Sequence, residues 1–335
     1  MILDPDVWLS HMSWYVTPGA FKDGAGASGG TIQSRITCKK GSHQTDPPEV
    51  QACWSSRWRD GFLISYDLKQ IELCTAGLLS GEPFLCEAIR NGWDLHSRRA
   101  LKLWKEPALL ARYPSLLGVP VDRWKKASSL FNDLERQVGK RVNFADLFRS
   151  GAATMQASVL GDIGELLPLP FFQDAVDNRP RDVPLLWAWQ EERIAEARLH
   201  GCVTLPFTGQ SRQFLGGDKY DVNEIVNFPV QATASNTHLR IQIYIHRAIR
   251  NARRRDIFPV LNIYDALKFD CASQSAIDFL DQTYEEAIVY VRDNEYWSWL
   301  QDTYGRTVPL EYEREGYQNG EEVKALRKAG PQPYP

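Results

Sequence analysis

The chain has 335 residues and a net charge of −3, and 43% of its residues are hydrophobic and 24% are charged. This balance is typical of a globular protein with a substantial core, in one large domain or a few subdomains. No apolar run is long enough to span a membrane, and the N-terminus lacks a signal-peptide pattern. The six cysteines include no CxxC pair, which argues against a zinc site or a disulfide framework and favours a cytoplasmic location.

The first elements predicted along the chain are a loop, a buried strand and a helix. Residues 17–48 are rich in Gly, Ser, Pro and Lys and predict a loop. Residues 62–66 form a short apolar run, FLISY, which ends at Asp67 and is typical of a buried strand. A helical pattern follows over residues 70–79, and residues 98–130 predict a helical excursion rich in Trp, Leu and Lys.

The next predicted helix, over residues 134–149, carries an ordered set of four side chains. They follow each other at four-residue steps: Arg136, Lys140, Phe144 and Phe148. Each step advances about 400° around an α-helix, a net drift of roughly 40°, so all four side chains point to one side. Cations can hold a polyphosphate and rings can pack on a sugar or base, so this face suits a nucleoside triphosphate. The alternative is a helix with two solvated cations and two core rings.

The remaining predicted elements are helices and short strands. Residues 154–200 predict helices broken by prolines, and residues 203–215 predict a hairpin. Residues 232–252 predict a long helix, although the segment LRIQIYI also alternates like a strand. The segment PVLNIYDALKFDC predicts two short strands that meet near Asp265, and the tail from residue 318 is expected to be loose.

Two aspartates are candidate metal ligands. Asp67 follows one apolar strand, and Asp265 lies in the bend between two others. A sheet that brings both carboxylates together would make an oxygen-rich site for hard cations such as Mg²⁺. Two such ions about 3.5–4 Å apart suit in-line attack at phosphorus. Capping or turn formation is the alternative explanation for each aspartate.

Six segments resemble motifs of family A DNA polymerases, the bacterial DNA polymerase I type, in the order in which that family has them. The segment that begins at Asp67, DLKQIELCTAGLLSGE, resembles the first palm motif, and IYDALKF around Asp265 resembles the second. RQVGKRVNFADLF resembles the fingers helix. Three further segments resemble the family's nucleotide-binding and duplex-binding stretches: SRITCKKGSHQTDPP, GWDLHSRRA and NFPVQATAS. The resemblance covers roughly residues 30–315.

The resemblance implies a role for each matching residue. Asp67 and Asp265, helped by the backbone carbonyl of Leu68, would hold two Mg²⁺ ions, and both would be catalytic together with Lys140. The incoming dNTP would be bound by Arg136, Lys140, Phe144, Phe148, Glu72, His96 and Gln70. Primer–template DNA would be bound by Arg35, Asn227, Gln231 and Tyr264. Phe144 would pack on the sugar, Phe148 would stack near the templating base, and Glu72 would exclude a 2′-hydroxyl.

The implied fold is α+β, with the antiparallel palm sheet and helical fingers of a right-hand polymerase and with the thumb largely absent. The palm would comprise residues 31–97 and 201–317, and the fingers residues 98–200. Residues 1–30 would form an N-terminal segment, and residues 318–335 a loose tail. The motifs begin near the N-terminus, which predicts a split, phage-encoded polymerase whose second polypeptide supplies thumb and exonuclease. An incomplete fragment is the alternative.

Three departures from the family pattern keep other functions open. Ala266 stands where the second palm motif usually has another acid, Asn223 where an arginine is usual, and Arg149 where a glycine is usual. The bulk of Arg149 could crowd the template path. A non-catalytic or partner-dependent nucleic-acid-binding remnant is therefore one alternative to a template-directed DNA polymerase. A single-subunit RNA polymerase is another, although Glu72 as a sugar gate favours deoxynucleotides.

Overall fold

The computed structural model describes residues 48–51, 53–214, 222–263, 265–306, 308–318 and 321–329. Several predictions lie outside the described residues: the DNA contacts assigned to Arg35 and Tyr264, the N-terminal segment of residues 1–30 and all but the last residue of the loop predicted over residues 17–48.

An antiparallel sheet forms the centre of the described part of the chain. Its strand order is β4-β5-β1-β6-β7, with β8 also paired to β6, while β2 and β3 form a separate hairpin. Together with the helices, this sheet confirms the predicted α+β class. The described strands are β1 (Phe62–Leu68), β2 (Cys202–Thr204), β3 (Ser211–Gln213), β4 (Ile257–Ile263), β5 (Ala266–Cys271), β6 (Tyr312–Gln318), β7 (Glu321–Glu322) and β8 (Lys328–Ala329).

Most of the helices lie between β1 and β2. The first described helix, α1 (Pro48–Gln51), precedes β1. The described helices between β1 and β2 are α2 (Ile71–Ser80), α3 (Pro83–Arg90), α4 (Leu95–Trp104), α5 (Glu106–Arg112), α6 (Trp124–Ala127), α7 (Ser129–Asp133), α8 (Glu135–Leu147), α9 (Ala152–Ile163), α10 (Leu169–Asp177), α11 (Arg179–Asp182) and α12 (Pro184–His200). Short 3₁₀ turns occur at Pro114–Leu116 and Val121–Arg123. The later helices are α13 (Val222–Asn251), α14 (Gln274–Asn294) and α15 (Tyr296–Tyr304), and a third 3₁₀ turn covers Lys324–Leu326.

One face of the sheet is covered by α14. Tyr66 of β1 stacks on Tyr284 of α14 with ring centroids 4.4 Å apart, and Tyr312 of β6 lies 4.6 Å from Tyr284. The Tyr66 hydroxyl donates to Asp281 at 2.7 Å. Successive side chains of a strand point to opposite faces. The neighbours of Tyr66 in β1 and of Tyr312 in β6 therefore point to the other side of the sheet.

The long helix α13 begins ten residues before the predicted start at 232, and the strand alternative for LRIQIYI is wrong. Five of its buried apolar residues recur at helical spacing and belong to the hydrophobic core around the sheet: Val230, Ala234, Ile241, Ile245 and Ile249. This spacing places one stripe of the helix against the core, which a period-two strand cannot do. Pro229 lies inside the helix, which explains why the sequence pattern shows only its second part.

The expectation of a loose tail is wrong for residues 321–329. Both β7 and β8 pair with β6, which extends the sheet beyond β1. Leu326 is only 7% exposed. It occupies the space beside Gly316, where an added Cβ would lie 2.7 Å from the Leu326 side chain. Because glycine has no side chain, the apolar side chain of Leu326 can pack against the sheet at Gly316.

Candidate active site

Asp67 lies on the face of the sheet opposite α14. Along β1, Ile64, Tyr66 and Leu68 are buried, whereas Asp67 between the last two is exposed. This alternation follows from the period of two residues in a β-strand. The carboxylate is therefore presented by a strand whose other face is fixed in the core.

Asp265 lies beside Asp67 in the turn that joins β4 to β5. The backbone N–H of Leu68 donates to the carbonyl of Asp265 at 3.2 Å, and Ala266 lies directly opposite Asp67 in the sheet. The charge of Asp265 contributes to the pKa of Asp67, so the two carboxylates are close enough to repel each other. Two aspartates about two hundred positions apart in the chain are thus held together by one strand pairing.

A row of three residues crosses the sheet at this point. Asp67 is paired with Ala266 of β5 on one side and with Glu313 of β6 on the other. Residues directly opposite each other in a sheet point to the same face. The acid that the family pattern has at Ala266 is therefore missing on one side of Asp67, while Glu313 provides a carboxylate on the other side.

Desolvation and the neighbouring acids together raise the pKa of Asp67 to about 7. Desolvation by the surrounding sheet is the largest cause, although the side chain still reaches solvent, and the charges of Asp265, Glu313 and Glu315 add to it. Lys69 offsets part of this charge, since its Nζ lies 3.4 Å from Glu311 and 3.7 Å from Glu313. Partly desolvated carboxylates that repel each other in this way favour the binding of cations.

The raised pKa of Asp67 predicts that the folding stability of the cation-free protein depends on pH. Between the ordinary pKa of 3.8 and the folded-state pKa of about 7, the folded chain retains a proton that the unfolded chain has released. The contribution of this carboxyl to stability is therefore present at low pH and lost as the pH rises towards 7. Asp67→Asn cannot ionise, so we expect it to gain stability relative to wild type between pH 5 and pH 8.

Thermal unfolding in the presence of a chelator measures this effect. The matched control is Asp60→Asn, which changes an exposed carboxyl just before β1. The difference in Tm between Asp67→Asn and wild type should be larger at pH 8 than at pH 5, and the control should show no such trend. An equal difference at both pH values would contradict the raised pKa.

The donors around Asp67 are suited to a hard divalent cation. Asp67 and Asp265 offer carboxylate oxygens, and the backbone carbonyl of Leu68 is the third proposed ligand, so all are oxygens of the type that Mg²⁺ binds. No group of three or more His, Cys, Asp or Glu side chains in the described ranges is arranged to hold a metal ion. A cation held here would therefore need further oxygens from the nucleotide or from water, as is usual for Mg²⁺.

The predicted cationic helix is α8, and it packs closely on α4. An added Cβ at Gly139 would lie 2.4 Å from the His96 carbonyl oxygen and 3.0 Å from the Ala100 nitrogen. Only a glycine permits this approach of the two backbones. Because His96 is in the first turn of α4, the contact at Gly139 places it beside Arg136 and Lys140, which flank the glycine on α8.

Arg136 is held in place by Asp94, the N-cap residue of α4. Its Nε donates to Asp94 Oδ2 at 2.8 Å, and the Asp94 side chain also accepts from the backbone N–H groups of His96 and Ser97. Among the described residues, no acid anchors Lys140 in this way. Burial lowers the pKa of Lys140, and the charges of Arg141 and Arg136 add to the shift. Cations that crowd each other in this way favour the binding of an anion.

His96 completes the cationic cluster as a neutral group. It is 5% exposed. Burial and the charge of Arg136 lower its pKa to about 3, against the opposing effect of Asp94. Its ring lies 6.4 Å from the ring of Phe144. The structure thus brings together Arg136, Lys140, His96 and Phe144 at the junction of α4 and α8.

Phe144 and Phe148 are both half-buried and pack against the main core. Phe144 is in the last turns of α8, and Phe148 is the residue that ends the helix. The end of α8 is capped from two other helices. Gln190 of α12 donates to the carbonyls of Asp146 and Leu147 at 2.9 and 3.0 Å.

Asn223 provides the second cap on α8. With its amide in the orientation that satisfies its neighbours, the nitrogen donates to the carbonyls of Phe148 at 2.8 Å and Arg149 at 3.0 Å. The residue that replaces the usual arginine thus has a structural role between α13 and α8. Arg149 itself stacks on Trp187 at 3.6 Å and pairs with Glu191, with its side chain 8% exposed. The bulky side chain of Arg149 therefore packs against α12.

Gln70 and Glu72 lie at the start of α2, immediately after β1. Gln70 is exposed and has a left-handed backbone with φ 51°, which is uncommon for a residue other than glycine. Glu72 is in the first turn of the helix, where an acid complements the helix dipole. These residues are brought near Asp67 by chain connectivity.

Asn227 and Gln231 lie one helical turn apart within α13, on either side of Pro229. Gln231 is half-buried. The Oδ1 atom of Asn227 is buried and has no hydrogen-bond partner among the described residues. An unpaired buried carbonyl is uncommon in a folded protein and marks a position where an external donor would be favourable.

Three residues of this region were not identified from the sequence pattern. Asp94 could have been found, because an aspartate just before a helical run is an N-cap signal. Glu313 depends on the register between β1 and β6, which no local pattern contains. Asn143, described below, depends on the contact between α4 and α8.

The described part of the chain combines an antiparallel sheet that carries paired acids with a helical layer that carries clustered cations. A solved polymerase domain has a similar fold. The POL domain of Pol1 from M. smegmatis, in complex with DNA primer-template and dNTP, matches with a TM-score of 0.66 at 17% sequence identity. The match covers 87% of this chain and 46% of that chain.

Two curated relatives are similar in sequence. DNA polymerase I B, mitochondrial, and DNA polymerase I A, chloroplastic, both from Oryza sativa subsp. japonica, are each 26% identical over 233 residues. The alignments cover 64% of this chain and 21% of each relative, so the chain spans about a fifth of their length. No protein-family model matches the chain. These findings confirm the predicted resemblance to DNA polymerase I over part of that protein.

None of the described helices combines the length and the apolar character that crossing a membrane needs.

Proposed function

We propose that the chain is the core of a template-directed DNA polymerase, which adds dNTPs to a primer 3′-hydroxyl and releases pyrophosphate. The observation that supports this most directly is the pairing of Asp67 with the turn that carries Asp265, on the open face of the sheet. The palm would comprise residues 31–97 and 201–317, and the fingers residues 98–200.

The acids and cations have separate tasks in this proposal. Asp67, Asp265 and the Leu68 carbonyl would hold two Mg²⁺ ions, which when bound would activate the primer hydroxyl and stabilise the leaving oxygen. Arg136, Lys140 and His96 would bind the triphosphate. Their fixed positions would neutralise the negative charge that develops on the leaving pyrophosphate.

The remaining residues would select and align the substrates. Phe144 would pack on the incoming sugar, Phe148 would stack near the templating base, and Gln70 and Glu72 would contact the dNTP. Glu72 would exclude a 2′-hydroxyl. Asn227 and Gln231 would face the primer–template minor groove, and Arg35 and Tyr264 are proposed to bind DNA on sequence resemblance alone. The unpaired Asn227 Oδ1 supports a contact with a donor from outside the chain.

A non-catalytic nucleic-acid-binding remnant is the second candidate, and one observation favours it. Ala266, directly opposite Asp67, removes one carboxylate from the row that crosses the sheet. Dependence on a separate chain that supplies thumb and exonuclease is compatible with either candidate. Primer extension by the purified chain decides between them.

The test uses a primed template, Mg²⁺ and a single dNTP or NTP. We expect incorporation of the dNTP that pairs with the template, little incorporation of the NTP, and none when Mg²⁺ is chelated. Incorporation of NTPs at a similar rate would favour an RNA polymerase. Failure to incorporate any nucleotide, with or without an added thumb-and-exonuclease chain, would support the remnant. Long products from the chain alone would count against a need for a partner.

Lys140→Ala is expected to weaken dNTP binding about tenfold to a hundredfold, because a charge-assisted hydrogen bond is worth roughly 1.5–3 kcal/mol. Fluorescence titration of a labelled dNTP onto the primed complex measures the Kd. The matched control is Lys126→Ala, which removes an exposed cation from α6. Equal affinities of the two variants would remove Lys140 from the proposed site.

A further inference from the structure

A buried amide joins α4 to α8 directly behind the cationic cluster. Asn143 is 3% exposed and Arg99 is also 3% exposed. Arg99 Nε donates to Asn143 Oδ1 at 2.8 Å. On its other side, Asn143 Nδ2 lies 3.2 Å from the Leu95 carbonyl and 3.1 Å from His96 Nδ1.

The neighbours of this amide fix its orientation. A guanidinium can only donate, so the atom facing Arg99 must be the oxygen of Asn143. A backbone carbonyl can only accept, so the atom facing Leu95 must be the nitrogen. Both contacts agree, and they leave the second N–H of Asn143 directed at His96 Nδ1.

The fixed amide in turn determines the state of His96. Because Asn143 Nδ2 can only donate, Nδ1 of the imidazole must accept and cannot carry a proton. A neutral imidazole with a bare Nδ1 carries its proton on Nε2. We propose that Asn143 is a positioning residue that locks His96 as the neutral Nε2–H tautomer, so that the ring donates a single hydrogen bond to a phosphate oxygen. The identity of that acceptor rests on the proposed function.

The surroundings of His96 favour the same state. Arg136 and Lys140 on α8 and Lys125 on α6 act against a further positive charge, and Asp94 on α4 is the carboxylate that acts in its favour. Burial, the largest cause, lowers the pKa of His96 to about 3. Charge repulsion alone would leave either neutral tautomer possible. The choice between the two comes from Asn143.

The nucleotide-free chain labelled with ¹⁵N at histidine tests the lock by NMR at pH 7. Long-range ¹⁵N–¹H correlations distinguish the two tautomers and the imidazolium. We expect a bare Nδ1 and a protonated Nε2 for His96 in the wild type. A proton on Nδ1 would overturn the inference. The measurement uses the wild-type chain, so it does not depend on the folding of a variant.

Asn143→Asp reverses the polarity at the same position with almost the same shape. A carboxylate accepts a hydrogen bond, so we expect Nδ1 of His96 to gain a proton at pH 7. The matched control is Asn251→Asp, which adds the same charge at an exposed amide at the end of α13, and it should leave the His96 signals unchanged. If the bare Nδ1 persists in Asn143→Asp, Asn143 does not set the tautomer.

Addition of dGTP with Mg²⁺ to the labelled wild type then probes the acceptor. We expect the Nε2 resonance of His96 to shift and the Nδ1 resonance to change little. Binding of dGTP without a shift at Nε2 would overturn the assigned hydrogen bond. The tautomer is read without nucleotide, so a failure of dGTP to bind counts against the proposed function, whereas a proton on Nδ1 counts against the lock.

Discussion

Asp265→Asn is expected to abolish nucleotide incorporation while leaving the fold intact. The change removes one of the two carboxylates proposed to hold divalent cations. Metal ions at a phosphoryl-transfer site provide several kcal/mol of charge stabilisation, and each 1.4 kcal/mol corresponds to a tenfold change in rate. A loss of at least about a hundredfold in the rate of single-dNTP incorporation should follow, measured by rapid quench on a primed template.

The variant should not lose stability. The charge of Asp265 helps to raise the pKa of Asp67, so its removal should lower the pKa of Asp67 towards its ordinary range. Without cations, Asp265→Asn should therefore melt at least as high as wild type at pH 8. Asp278→Asn is the matched control, since it changes an exposed aspartate on α14. Unchanged turnover in Asp265→Asn would rule out the two-metal mechanism.

Gly139→Ala should both destabilise the chain and weaken nucleotide binding. The new Cβ would meet the His96 carbonyl oxygen at 2.4 Å and the Ala100 nitrogen at 3.0 Å, and both are backbone atoms that cannot rotate away. The two helices must therefore move apart. Overpacking of this kind costs about 1–3 kcal/mol. Denaturant unfolding measures the loss of stability, and titration with a labelled dNTP measures the displacement of His96.

A second glycine provides the control for this change. Gly161 lies within α9, and an added Cβ there has no atom within 4 Å. Gly161→Ala should raise the free energy of unfolding by up to about 1 kcal/mol, because alanine is the better helix former. If both variants had the same stability, the close contact between α4 and α8 would not constrain the protein.

The elements that could be predicted from the sequence are those with a local signal. The run FLISY before Asp67, the four-residue spacing from Arg136 to Phe148 and the two strands around Asp265 all have a period that identifies them. The proposed site could be anticipated because the key residues lie at the ends of such elements. Their roles remain proposals, since they come from a resemblance.

The features that could not be predicted depend on contacts between distant segments. Glu313 is next to Asp67 only because of the register of β6, and Asn143 faces His96 only because Gly139 lets two helices approach. The start of α13 was missed because Pro229, a helix breaker by local rules, lies inside a helix stabilised by the core. The 321–329 segment is ordered by the space beside Gly316.

A buried carboxylate near the end of α8 limits how α4, α8 and α11 can move relative to one another. Asp146 pairs with Arg99 of α4 at 2.6 Å and with Arg179 of α11 at 2.8 Å, and all three are 3% exposed or less. Separating such a pair would strand a charge in the interior, at a cost of roughly 3–5 kcal/mol. If the proposed fingers region moves to enclose a nucleotide, these three helices must therefore move as one rigid block, and the hinges must lie outside it.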